Sequence, residues 1–155
     1  MKNLFLMIAV VAMFSLNASG QASKDVPSNI KDAFLKKFPT ATKVKWAKEN
    51  DKEWEAEFNM NNKEYSANYD LKGTWMETEY EISVSEIPAA VKATLDKDFA
   101  GYKIDEPEVS ETATTKLYEF ELKKDKVKME VSIDAKGKVI KKEEVKKDDK
   151  EKDKD

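Results

Sequence analysis

Two stretches of this chain carry one pattern, and the pattern is that of a β-hairpin. Trp54 to Gly73 reads WEAEFNMNNKEYSANYDLKG, and Tyr118 to Gly137 reads YEFELKKDKVKMEVSIDAKG, 64 residues later. Trp54, Ala56 and Phe58 correspond to Tyr118, Phe120 and Leu122, and Tyr65, Ala67 and Tyr69 to Met129, Val131 and Ile133. Apolar residues at every second position turn one face of each strand toward a core. Asp70 and Gly73 recur as Asp134 and Gly137, residue types that close turns. The remaining elements are placed around these two hairpins.

Each hairpin is preceded by a helical pattern. In Val26 to Phe38, Ile30, Phe34 and Phe38 recur every four residues with Ala33 beside them, one apolar stripe. Pro27 stands at the front, Ser28 is placed to help cap, and Pro39 ends the helix. In Glu86 to Phe99 the stripe returns as Val91, Leu95 and Phe99 at an offset of 61, and Ile87-Pro88 matches Val26-Pro27. The offset grows from 61 to 64 between helix and hairpin, which places the extra residues around Ser110 to Thr115. Val44 and Trp46 alternate with Lys43 and Lys45 as a first strand, Glu49 to Asp51 turns, and Asn61-Asn62 forms the hairpin tip. Thr74 to Ile82 reads as a fourth strand whose facing the pattern leaves undecided, and Val139 to Val145 as the last strand. Pro107 implies that its strand lies at an edge or carries an irregularity. The fold class is α+β. Two tandem helix-plus-four-strand repeats, 26–83 and 86–145, form one antiparallel sheet with both helices packed on one face. A half of about 60 residues would bury only about 60% of its chain surface, so the halves share one core in a single domain, 24–145.

The ends of the chain read as processing and tail. Lys2 precedes the apolar run Leu4 to Leu16, and Ala18-Ser19-Gly20 supplies small residues, so 1–20 is a signal peptide cleaved before Gln21. The run is shorter than the roughly 20 apolar residues of a spanning helix, and no membrane insertion is expected after cleavage. The expected address is the periplasm or the medium. The last ten residues, Lys146 to Asp155, are all Lys, Asp or Glu and should be disordered.

Composition removes whole classes of function. The chain has neither histidine nor cysteine, which excludes imidazole catalysis, cysteine nucleophiles, disulfides and ordinary zinc sites. Every cation is lysine, and 28 of them face 31 carboxylates. A mildly acidic chain without arginine has neither the charge nor the guanidinium fork for nucleic acid. No cofactor is expected.

Phe38-Pro39-x-Ala41-x-x-Val44-x-Trp46, the alternating Trp54–Phe58 strand, Tyr65 to Asp70 and Gly73-x-Trp75 resemble the PepSY-like family, grouped with the β-lactamase-inhibitor-protein-like fold. The resemblance covers about residues 26 to 145 and is closer in the first half. It implies an exported bacterial protein with a helix-backed antiparallel sheet, concave on its open side, and it offers no catalytic residues. Fold alone does not assign activity.

Alternation assigns the open side of the sheet. Glu55, Glu57 and Asn59 lie beside Glu64, Ser66 and Asn68, and Glu119 and Glu121 beside Lys128, Glu130 and Ser132. This carboxylate-rich face admits three readings. It is a solvated face, with Lys43 and Lys45 pairing with Glu55 and Glu57. It is a surface that meets an unknown protein or peptide partner in the cell envelope, inhibitor-like in manner, through its acidic groups. Or it holds a cation or small ligand, or a pair of catalytic carboxylates about 7 Å apart along a strand. Nothing in the sequence makes a pocket or desolvates either carboxylate, which disfavours catalysis. Trp46, Trp54, Tyr65 and Tyr69 fall at inward positions. Trp75, if it faces out, is the best interface anchor. Asp70-x-x-Gly73 and Asp134-x-x-Gly137 lack the oxygen-ligand density of a calcium loop and are read as turns. The expectation is a non-enzymatic exported binding module, with a cation- or small-ligand-binding protein as the alternative.

Overall fold

The structure, a computed structural model, describes residues 25–145. The signal segment and the charged tail expected at 1–20 and 146–155 lie outside the described residues. A helix α1 (Ser28–Lys37) precedes strands β1 (Thr42–Asn50), β2 (Glu53–Met60), β3 (Lys63–Asp70) and β4 (Trp75–Glu81). A 3₁₀ turn (Val84–Glu86) leads into α2 (Ala89–Asp98), followed by β5 (Lys103–Glu111), β6 (Lys116–Lys124), β7 (Val127–Asp134) and β8 (Val139–Val145). The strands form one eight-stranded sheet in chain order, each antiparallel to its neighbour.

The helices start and stop where proline and packing dictate. Pro27 is the residue before the first helical turn, and its carbonyl accepts the amides of Ile30 and Lys31 at 3.1 and 3.2 Å. Ser28 makes no capping hydrogen bond, contrary to expectation, because it already lies inside the helix. Phe38 closes the helix by donating its amide to the Phe34 carbonyl at 2.8 Å. The second helix is shorter than its apolar pattern. Glu86 belongs to the preceding 3₁₀ turn, where it forms a capping box with Ser83, and Pro88 precedes α2.

The apolar stripes bury themselves on the sheet. Val26, Ile30, Phe34 and Phe38 cluster with Trp54, Ala56, Phe58, Ala67 and Tyr69. Val91, Leu95 and Phe99 cluster with Val109, Phe120, Leu122, Met129, Val131 and Ile133. The first cluster is aromatic. Phe34 meets Phe58 and Trp46 edge-on at centroid distances of 5.0 and 5.3 Å, the geometry that ring quadrupoles favour. Tyr65 borders one cluster and Tyr80 the other, and their rings meet at 4.9 Å across β3 and β4.

Irregularities set the facing. Pro107 sits in an interior strand, not an edge, and the expected irregularity is a bulge between Asp105 and Glu108, with Glu106 at a φ of 46°. A bulge in β4 leaves Met76 between Trp75, which pairs with Tyr69, and Glu77, which pairs with Asn68. The counterpart in β8 leaves Ile140 between Val139 and Lys141. Asn61 and Asn62, at φ of 53° and 62°, make the expected hairpin tip. The β5–β6 loop, 112–115, is longer than the β1–β2 loop, 51–52, where the extra residues were expected.

Candidate functional site

The sheet face turned away from the helices is built by period-two alternation carried across the strands in register. On β2 and β3, Glu55 opposes Asn68, Glu57 opposes Ser66 and Asn59 opposes Glu64. On β6 and β7, Glu119 opposes Ser132 and Glu121 opposes Glu130. The residues expected from the sequence therefore share one face, with one exception. The β4 bulge turns Trp75 to the helix side, against the first core cluster. Its indole N–H donates to Thr78 Oγ1 at 2.8 Å, and the Lys37 ammonium lies 3.4 Å from its ring centroid. Trp75 is thus a packing residue and not an anchor on the open face.

The middle of the face is made by residues the pattern did not single out. Glu77, opposite Asn68, and Glu79, opposite Ser66, come from β4, and Glu79 also opposes Ser110 of β5. Glu81 opposes Glu108, and Glu108 opposes Glu119. The signal was present as the alternation Glu77-Thr78-Glu79-Tyr80-Glu81, but the bulge hid which side it faced. Carboxylates directly across a strand pair repel, a cost a sheet ordinarily avoids.

This face is not simply solvated. Among the described residues no helix covers it, yet Ser132 is fully buried and Ser110, Glu79 and Glu119 are only 2%, 6% and 7% exposed. The expectation that nothing desolvates either carboxylate of the pair fails at Glu55, which is half-buried, while Glu57 is exposed. Burial, then Glu77, Glu119, Glu108 and Glu55, pushes Glu79 up to about 8. Burial, then Glu49 and Glu57, pushes Glu55 up to about 7. Burial, then Glu81, Glu119 and Glu106, pushes Glu108 up to about 7. Glu77 and Glu119 are also raised by burial, against hydroxyl hydrogen bonds from Ser110 and, at 3.0 Å, from Ser132.

Lysines do not neutralise this centre. Lys45 opposes Glu57 and Ala47 opposes Glu55, while Lys43 sits in a bulge at a φ of 54°. The ion pairs expected of Lys43 and Lys45 with Glu55 and Glu57 do not form. No ion pair among the described residues includes Glu55, Glu77, Glu79, Glu108 or Glu119. The flank differs. Lys123 lies 2.7 Å from both Glu121 and Asp105, and Lys128 also contacts Glu121. Burial raises Glu121, but the hydrogen bonds from Lys123 and Lys128 outweigh it and hold the carboxyl below its ordinary value. Among the described residues, no three acidic groups lie close enough to hold a metal ion together. Asp70 and Asp134 spend their carboxylates on turns, each Oδ1 accepting two backbone amides at 2.8–3.0 Å.

The fold has solved relatives. A BLIP-like protein of Bacteroides fragilis superposes with a TM-score of 0.72 at 21% identity, covering 79% of this chain and 89% of its own. DUF2874 family proteins of Bacteroides uniformis and Bacteroides ovatus superpose at 0.72 and 0.71, with 19% and 20% identity, each covering 76% of this chain and 88% and 86% of its own. At such identities the likeness is one of fold. No curated protein matches the sequence. The sequence itself matches, over residues 52–141, the family described as beta-lactamase-inhibitor-like, PepSY-like, and this chain belongs to that family.

Proposed function

We propose that this protein is an exported, non-enzymatic binding module that presents the acidic face of its sheet to a protein or peptide partner in the periplasm or outside the cell. The observation that carries the reading is the run of carboxyls from Glu55 to Glu119, buried at Glu79 and Glu119, half-buried at Glu55, Glu77 and Glu108, and without an ion pair at any of these five among the described residues. Side chains that oppose one another across strands and lack lysine partners cost stability in the isolated protein. A partner that brings positive charge to the face offsets that cost. Membership of a beta-lactamase-inhibitor-like family supports a binding role over a catalytic one. The apolar start of the chain supports export. Among the described residues no helix is long and apolar enough to cross a membrane. In this reading the chain is a duplicated helix-plus-four-strand unit whose two halves give the sheet its width. Glu57, Asn59, Glu64 and Ser66 would form one rim of the contact, and Glu121 and Glu130 the other.

The test is capture by cross-linking from an envelope extract, with the chain from Gln21 onward as bait. A folded Glu55→Lys/Glu57→Lys variant is the control. A protein captured by the parent and lost from the variant is the expected result. Identical capture by both, or none by either, removes the binding face.

A further inference from the structure

We infer that the centre of the acidic face, around Glu79, is a seat for one organic cation, the ammonium end of a lysine side chain presented by the partner protein. The inference rests on the binding-face reading and narrows it. Glu79 is 94% buried, as its 6% exposure states, and among the described residues it has neither a hydrogen-bond donor nor an ion-pair partner. Diagonal to it, the Asn68 Oδ1 atom is buried with no hydrogen-bond partner among the described residues. Asn68 opposes Glu77, whose Oε1 accepts the Ser110 hydroxyl and whose second oxygen has no hydrogen-bond partner among the described residues. The buried Asn68 oxygen is an acceptor without a donor, which costs stability, and the carboxyls of Glu77 and Glu79 on the adjacent strand share its face. An ammonium group carries three donors.

The same face shows how such a group is held. Asp105 and Glu121 oppose one another on β5 and β6, and one lysine, Lys123, bridges them at 2.7 Å to each. The Glu79 centre differs in that Glu79 opposes serines, Ser66 and Ser110, and has its neighbouring carboxyls along its own strand and diagonally, none of them ion-paired among the described residues. A metal ion needs oxygens converging to about 2.0–2.6 Å from one point, and no three acidic groups among the described residues do so. A longer, directional donor set suits the spacing of about 5–7 Å between neighbouring positions of a sheet face.

Charge around the seat is one-sided. Glu77 and Glu81 flank Glu79 on its own strand, Glu55 and Glu57 lie beyond β3, and Glu108 and Glu119 lie on β5 and β6. Along its own row the nearest cation is Lys45 on β1, opposite Glu57, while Lys141 on β8, opposite Ser132, acts on Glu119 and is bonded to Glu143 at 3.0 Å. With Glu79 pushed up to about 8 by burial and these neighbours, a cation that settles there releases a proton near neutral pH and binds more tightly as the pH rises.

The experiment titrates the whole protein with n-butylammonium chloride against sodium chloride of equal ionic strength. The readout is the side-chain carboxyl carbon resonances, with proton release followed in parallel. Saturable binding that displaces the Glu79 resonance and releases protons is expected. Glu79→Gln should weaken it by about tenfold or more, equivalent to about 1.4 kcal/mol. Asp96→Asn, an equal charge change on α2, should leave it intact. An effect no greater than that of sodium, or equal binding by Glu79→Gln, overturns the seat. Because the probe contains no protein, capture of a partner without butylammonium binding would remove the seat and leave the binding face, so the two claims fail separately.

Discussion

Glu79 shows how a single residue type changes meaning with its surroundings. On an exposed strand it would be an ordinary solubilising carboxylate. Buried between Ser66 and Ser110 with glutamates on three sides, it keeps its proton well past the usual carboxylate range. Each unit by which folding raises a carboxyl costs about 1.4 kcal/mol once that carboxyl is forced to ionise. Glu79→Gln, which keeps the shape and removes the titration, should therefore stabilise the free protein at about pH 9 by on the order of 1–4 kcal/mol and leave it unchanged at about pH 5. Urea denaturation at both pH values measures this. Destabilisation of similar size at both would show instead that the carboxyl makes contacts the amide cannot replace. Trp75 makes the complementary point. One inserted residue, Met76, moves a tryptophan from the outer face to the core.

At the scale of elements, the turns after β3 and β7 lock each helix to its sheet. Gly73 and Gly137, both with φ above 80°, lie directly against the first turns of α1 and α2. A Cβ on Gly137 would stand 2.6 Å from the Ala90 carbonyl oxygen, and one on Gly73 2.9 Å from that of Asn29. The side chains of Asn29 and Thr94 bond back to the Leu71 and Gly137 carbonyls at 3.2 and 2.6 Å. Gly137→Ala should cost about 2–4 kcal/mol, combining the left-handed backbone penalty with the clash, and Gly73→Ala somewhat less. Chemical denaturation of the two variants checks both size and order. These turns were legible in the sequence because Asp-x-x-Gly has a local cause. The helix stripes and hairpin facings were legible for the same reason, a period of four or of two. The bulges at Met76 and Ile140 were not, since neither residue has a local preference for leaving the ladder. The burial of Glu79 and Glu119 was not legible either. It depends on β4 meeting β5 across the whole of α2, a pairing that no window of sequence contains.

For the molecule as a whole, two sets of carboxyls pull stability in opposite directions with pH. Glu55, Glu79 and Glu108 are raised, so folding binds protons above about 4.5, and stability falls as the pH rises through about 7 to 8. Asp70, Glu86, Asp105, Glu121 and Asp134 are lowered, so their contribution is present above the ordinary carboxylate range and is lost as the pH falls below it. The free protein should be most stable at about pH 5 and melt earlier at about pH 9, and calorimetry across that range would show it. In the proposed binding role, the free protein is least stable at the pH where its acidic face is fully charged, which is where a cationic partner has most to offer. The measurement that bears most directly on this picture is a pH titration of the glutamate side-chain carboxyl carbons by NMR on the free protein. Midpoints of about 8 for Glu79 and about 7 for Glu55 and Glu108 are expected. Midpoints for all three near the ordinary value of 4.5 would contradict it, because the face would then be hydrated and its charges would need no partner.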